Sequence, residues 1–425
     1  MITKSIRIAD GVNINYMHTD KFKTNHIGFN FIAPRSKEQA HFNSMLPLII
    51  MHATEEYTSI SAINKRLQYL YSGDISAINT TFGEYQIFGF KVNMLNNRYT
   101  YNTDVTAETL DLVCQMVFKP YLVNGAFDTE YTEIEKTSLI DMIESEINNK
   151  GQFAIKRTMS EMCKDEVFSI SKYGTVDDVK KITPQSLYNA YKHALSSYPI
   201  EIYVVGDVDF DRVVDVFKSY FKGIERNPIE LNPVETVLSS NQVKYVTDTE
   251  NVKQGKLVLG FRTGYRCEEN QYHIVQLFNE VFGGSPTSKL FMNVREKMSL
   301  CYYCRSIINQ RNGVMLVSSG IEFKNNKIAE KAIIEQLDMI KQGQITDEEF
   351  ESAKKSIING YLSIYDSAAA MEAWSLYRSL GGIKTTPLSE IEKINNTTVE
   401  QVMELANRMT LDTVYLLKGK EGQDE

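Results

Sequence analysis

The strongest constraint on this 425-residue chain is that its second half restates its first. The run Val179-Lys-Lys-Ile182-Thr183, a helical pattern and the apolar segment Ile202-Tyr-Val-Val-Gly206 come back later. Their counterparts are Ile391-Glu-Lys-Ile394, then Thr397, a second helical pattern, and Val414-Tyr-Leu-Leu-Lys-Gly419. The offset, 391 − 179 = 212 residues, is half the chain. A period of that size duplicates a whole domain, whereas solenoid units repeat every 20 to 50 residues or so. Each half mixes helix and strand blocks, so the expected class is α+β: two homologous domains, each a mostly antiparallel sheet covered by helices.

Apolar periodicity places the elements. Ser5 to Ile8 and Val12 to Met17 read as strands paired about Asp10-Gly11, and His26 to Ala33 as a third. Helical patterns at about Gln39–His52 and Ser59–Tyr71 precede a hairpin, Ile75–Thr81 with Glu84–Asn93. Helices follow at about Ala107–Phe118, Thr129–Asn148 and Thr183–Ala194, then the strand Ile200–Val205 and a helix to Tyr220. Pro228, Pro233 and Ser239-Ser240 mark a linker. The expected division is therefore a domain over 1–225, a linker over 226–240 and a domain over 241–425. In the second half, strands are expected at Gln254–Phe261, Leu300–Ile308, Gly313–Ile321 and Thr413–Leu417. Helices are expected at about Gln271–Phe282, Lys327–Lys341, Thr346–Tyr365, Ala368–Leu380 and Val399–Arg408.

A hydrophobic content of 43% and a charged content of 24% are those of a globular protein. A net charge of −8 and the lack of a basic run with interleaved aromatics argue against nucleic acid as a partner. No apolar run is long enough to span a membrane, and the start MITKSIRIADG lacks the apolar region of a signal peptide. A cytoplasmic location is expected. Five scattered cysteines, at 114, 163, 267, 301 and 304, make no disulfide framework.

Chemistry concentrates in Gly283–Tyr303, GGSPTSKLFMNVREKMSLCYY. A Gly-Gly-Ser-Pro turn opens a short helix, about Ser288 to Lys297, that runs into the strand at Leu300. Arg295 and Tyr302 face a tight junction, which either aims guanidinium and phenol at one point or leaves Arg295 paired with Glu296. Cys301-Tyr-Tyr-Cys304 has the C-x-x-C spacing, but in a regular strand positions i and i+3 point to opposite faces. Those thiols are therefore expected to act as small apolar residues.

The duplicated halves, the Gly206-Asp207-Val208-Asp209 turn after an apolar strand and the GG-x-x-x-SKLF-x-x-VREK-x-SL-x-Y segment at 283–302 together resemble the pitrilysin/insulinase-type zinc peptidases. The resemblance implies half of a peptidase clamshell, which closes on a peptide by pairing with a second chain. It also implies a zinc motif, H-x-x-E-H, on an N-terminal helix, and a further Glu on a long helix. Setting Ala53-Thr54 against the Gly-Thr that normally follows the motif places Ser44, Pro47 and Leu48 at the His, Glu and His positions, and alignment on Glu135-Lys136 places Met142 at the remote ligand. His52-Ala-Thr-Glu55-Glu56 and Ala40-His41-Phe42 offer no better register. No metal is therefore expected on this chain.

In the family, an Arg and a Tyr seven residues apart hold the substrate's carbonyl, and Arg295 and Tyr302 match that spacing. The edge of the N-terminal sheet, here Asn79-Thr80-Thr81, is the family's strand-addition site for substrate. The reading that results is a zinc-free subunit of a heterodimeric, peptide-processing metallopeptidase. Its homologous partner would carry H-x-x-E-H and the zinc, and one substrate class is the leader of a modified ribosomal peptide. The alternative is a non-enzymatic peptide-binding or scaffold subunit, such as the family contributes to respiratory complexes.

Overall fold

The computed structural model describes residues 1–266 and 271–420. Cys267 lies outside the described residues. The chain forms two compact units that interleave in sequence: the first is 1–144, 170–233 and 365–377, the second 145–169, 234–364 and 378–425.

The first unit holds a six-stranded sheet. Its strands are β1 (Lys4–Ala9), β2 (Val12–His18), β3 (Thr24–Pro34), β4 (Asp74–Phe82), β5 (Tyr85–Leu95) and, after the two-residue strands β6 (Leu122–Val123) and β7 (Ala126–Phe127), β8 (Ile200–Gly206). The order is β1-β2-β8-β3-β5-β4, antiparallel except between β2 and β8. The second unit holds β9 (Lys244–Thr249), β10 (Gly255–Arg262), β11 (Cys301–Asn309), β12 (Val314–Ile321) and β13 (Thr410–Lys418) in the order β11-β12-β10-β13-β9. Its one parallel pair, β13 with β9, repeats the β8–β2 pair. Read from β9, the second sheet repeats the order β2-β8-β3-β5-β4 of the first, to which β1 is added at one edge, as an internal duplication requires.

Alternation along β3 decides which way the first sheet faces. Ile27, Phe29, Phe31 and Ala33 enter a core with Phe88 and Phe90 of β5, Ile202 of β8 and Met45, Leu46 and Ile49 of the helix Ala40–Ile50. Each buried Phe or Leu contributes roughly 1.5–3 kcal/mol, so this face holds the unit together. The intervening residues His26, Gly28 and Asn30 point to the opposite face, where Glu372 of the helix Ala368–Leu380 meets them.

Besides the short pieces β6, β7 and Val176–Lys180 and the helix Pro387–Asn395, two elements of the second unit escape the periodicity. The helix Lys150–Met162, capped by Asn149, packs Ala154 and Met162 on the second unit's sheet beside Val258 and Leu316. Strand β9 has mostly exposed residues, so neither a period of two nor an apolar run reveals it. The 222–240 stretch has no regular structure, yet Arg226 donates to the carbonyls of Asp10 and Tyr198 at 2.7 and 2.6 Å. It is a strapped segment rather than a free tether. Among the described residues no helix is long and apolar enough to cross a membrane.

Candidate functional site

The segment from Gly283 to Tyr303 is wound by close approach. A Cβ on Gly283 would lie 2.6 Å from Leu290 Cδ1 and 2.7 Å from Ser306 N, so only glycine lets this turn settle against β11. Leu290–Lys297 is wound wide, as a π-helix, in place of the expected α-helix. Bonds from Met298 N to Asn293 O (3.0 Å) and from Leu300 N to Val294 O (3.2 Å) carry it to the strand through Ser299, whose φ of 53° is left-handed. Such widened turns concentrate where a side chain must be re-aimed.

A β-bulge does the rest. Cys301 pairs with Ile321 but Tyr303 pairs with Gly320, so Tyr302 is an extra residue; it stands 62% exposed. Arg295 Nε donates to the Tyr302 carbonyl at 3.0 Å, which ties the helix end to the bulge. The guanidinium lies 4.4 Å from the Phe291 ring and pairs through Nη1 with Glu296 at 3.3 Å. Arg295 thus pairs with Glu296 and is also bonded to the backbone of Tyr302, whose phenol faces outward.

The same bulge corrects the expectation for Cys301 and Cys304. The inserted Tyr302 shifts the alternation, their partners Ile321 and Ser319 are two apart, and both thiols lie buried on one face. Cys304 donates to Cys301, which draws the Cys301 thiol below its ordinary range against the opposing effect of burial, while the charge of Arg295 adds to the fall. That same bond, with burial, pushes Cys304 well up.

The family's metal positions lie in the first unit. Ser44 Oγ bonds to the Lys172 carbonyl and to the Asn79 amide, Pro47 sits inside the helix Ala40–Ile50, and Leu48 is half-buried. Met142, on the helix Thr129–Ser145, is 36% exposed. A hydroxyl already engaged, a pyrrolidine, an isobutyl and a thioether do not fit zinc, which takes thiolate, imidazole or carboxylate. His52 Nε2 instead meets Glu135 Oε1 at 2.6 Å, and His41 is buried, its ring 4.3 Å from Phe42. Among the described residues no three His, Cys, Asp or Glu side chains gather so as to hold a metal ion.

Strand β4 is one of the two outer strands of the first sheet and carries Asn79, Thr80 and Thr81. Asn79 accepts from Gln86 at 3.0 Å through its side chain and from the Lys172 ammonium at 2.6 Å through its carbonyl. An ammonium that reaches an edge strand from outside it and takes up one of its carbonyls blunts strand addition locally. Sequence reasoning passed over Lys256 and Arg305, lone cations on separate strands; only the sheet register brings them to one face.

Comparison with known proteins places this geometry. Residues 181–357 match the family model described as Peptidase M16 inactive domain. A Bacillus subtilis (strain 168) protein named "Probable inactive metalloprotease YmfF" is 34% identical over 416 residues, covering 97% of each chain. This chain belongs to the M16 peptidases, the pitrilysin type. As an M16 member it superposes on the crystal structure of a conserved protein from Enterococcus faecalis V583 with a TM-score of 0.91 at 29% identity, covering 98% of each chain. A Pseudomonas fluorescens structure described as a peptidase M16 inactive domain shares the fold, with a TM-score of 0.78 at 15% identity over 99% of each chain. The expected α+β fold and M16 membership without the zinc motif both agree with these comparisons.

Proposed function

We propose that this M16 chain is the zinc-free subunit of a two-chain peptidase in the cytoplasm. It presents Arg295 and Tyr302 to a peptide whose hydrolysis depends on a homologous partner carrying H-x-x-E-H and zinc. A leader segment of a modified ribosomal peptide is the substrate class it suits. The supporting observation is an asymmetry: the metal positions hold Ser44, Pro47, Leu48 and Met142, while Arg295 remains tied to an exposed Tyr302 at 3.0 Å. A guanidinium tied to the bulge and a phenol standing out from it are two donors suited to the oxygen of a peptide carbonyl as charge builds on it.

The test is a cleavage assay with this chain mixed with its H-x-x-E-H partner. Arg295→Ala and Tyr302→Phe should each lower kcat by on the order of 10²-fold, the usual cost of one such donor, while leaving the two-chain complex intact. The purified single chain should leave peptides uncut. Cleavage that needs this chain yet ignores both substitutions would make it a scaffold.

A further inference from the structure

Next to Tyr302, the strands β10, β12 and β11 carry a polar face. Lys256, Gly320 and Tyr303 form one cross-strand row, and Val258, Ser318 and Arg305 the next row on that same face. Gly320 lets the Tyr303 ring lie flat, since a Cβ there would come within 2.6 Å of Cε1. The helix Lys150–Met162 begins beside this face: a Cβ on Gly151 would stand 3.4 Å from the Tyr303 hydroxyl. Between helix start and strands lies a hollow of about 410 Å³, lined among others by Gln152, Lys256, Tyr303, Arg305 and Ser318. It continues past Lys253 into a second hollow of about 820 Å³, to which Lys256 also belongs.

The charge on this groove is one-sided. Lys150 is offset by Glu250 at 3.9 Å, but Lys253, Lys256 and Arg305 have no carboxylate partner among the described residues. Lys256 donates to the Gln254 amide, 5.5 Å from the centre of the Tyr303 ring, and burial holds its ammonium below the ordinary lysine range. The first turn of the helix adds its positive end. Three uncompensated cations along two adjoining hollows that share Lys256, in a chain of net charge −8, call for an arriving anion.

We propose that this groove is a carboxylate subsite for the peptide substrate, filled by an acidic side chain about two to three residues along from the carbonyl held at Arg295 and Tyr302. With Tyr302 left out of the ladder, Tyr302 to Arg305 advances between two and three ladder positions, roughly 7–10 Å, the rise of two to three residues of extended substrate. The inference rests on the proposed function and adds a sequence preference to it.

Fluorescence anisotropy on the purified full chain tests this with labelled unstructured peptides of one sequence. One has a central Glu and an amidated end, one has Gln there and an amidated end, and one has Gln and a free C-terminus. The Glu peptide should bind about tenfold more tightly than its amidated Gln counterpart at low salt, with the gap closing as salt rises. Arg305→Gln and Lys256→Gln should each remove most of that advantage, Arg305→Lys should restore it, and Arg305→Glu should turn the preference toward a Lys peptide. Circular dichroism checks that each variant is folded, and Arg305, being exposed, is the safer site. Equal binding of the two amidated peptides, with partner-dependent cleavage intact, overturns the groove and leaves the peptidase reading standing. An advantage confined to the free C-terminus overturns the side-chain assignment. Failure of every peptide to bind overturns the groove, and the two-chain cleavage assay then decides the peptidase reading by itself.

Discussion

Glu372 has no exposed surface, yet it keeps its charge. Burial pushes its carboxyl up, but His26 and Lys91 together outweigh burial and hold it below the ordinary range. His26 Nε2 meets it at 2.6 Å, Asn30 Nδ2 donates at 2.9 Å, and the Lys91 ammonium completes the set. Gly28 leaves the space, because a Cβ there would fall 1.7 Å from Glu372 Oε1. Removing one member of a buried ion pair strands the other, so Glu372→Gln should cost about 3–5 kcal/mol, read as a lowered urea midpoint. The sign with pH follows from the depressed carboxyl. Its contribution is present above about pH 4.3, the unfolded glutamate value, and is lost as pH falls through the lower folded value. Urea midpoints measured at falling pH should converge for wild type and variant, and a gap that stays constant with pH would sink the idea.

At the scale of elements, the helix Lys150–Met162 depends on its cap. Asn149 Oδ1 accepts from Gln152 N at 3.1 Å, and Asn149→Ala should cost about 1 kcal/mol in a denaturation experiment while also loosening the groove wall. This helix shows where sequence reading stops. The strands β2, β3, β8, β10 and β12 declared themselves through apolar runs, and the helices Asp347–Ser363 and Ala368–Leu380 through spacing. Phe153, Ile155 and Met159 are only half-buried, so the face of Lys150–Met162 fades into its charged neighbours. The bulge at Tyr302 was equally illegible, since nothing in Cys-Tyr-Tyr-Cys says that one residue will be left out of the ladder. Resemblance nominates Arg295 and Tyr302, and the residues at the motif positions show that the zinc motif is lacking. Neither route reaches Lys256 and Arg305, because their meeting is a property of register.

The whole molecule is built from two units, each completed by a segment drawn from the far side of the sequence: 145–169 goes to the second and 365–377 to the first. A fragment of residues 1–240 therefore lacks the cover for His26, Asn30 and Lys91. It should bind a hydrophobic dye and be cut rapidly by protease, and a peptide spanning 365–380 should reduce both. A cooperative, protease-resistant fragment would contradict this. During synthesis the same arrangement imposes an order. The first sheet emerges from the ribosome early but waits for some of the last residues before one of its faces is sealed, so a stalled ribosome should hold a half-open, chaperone-binding intermediate.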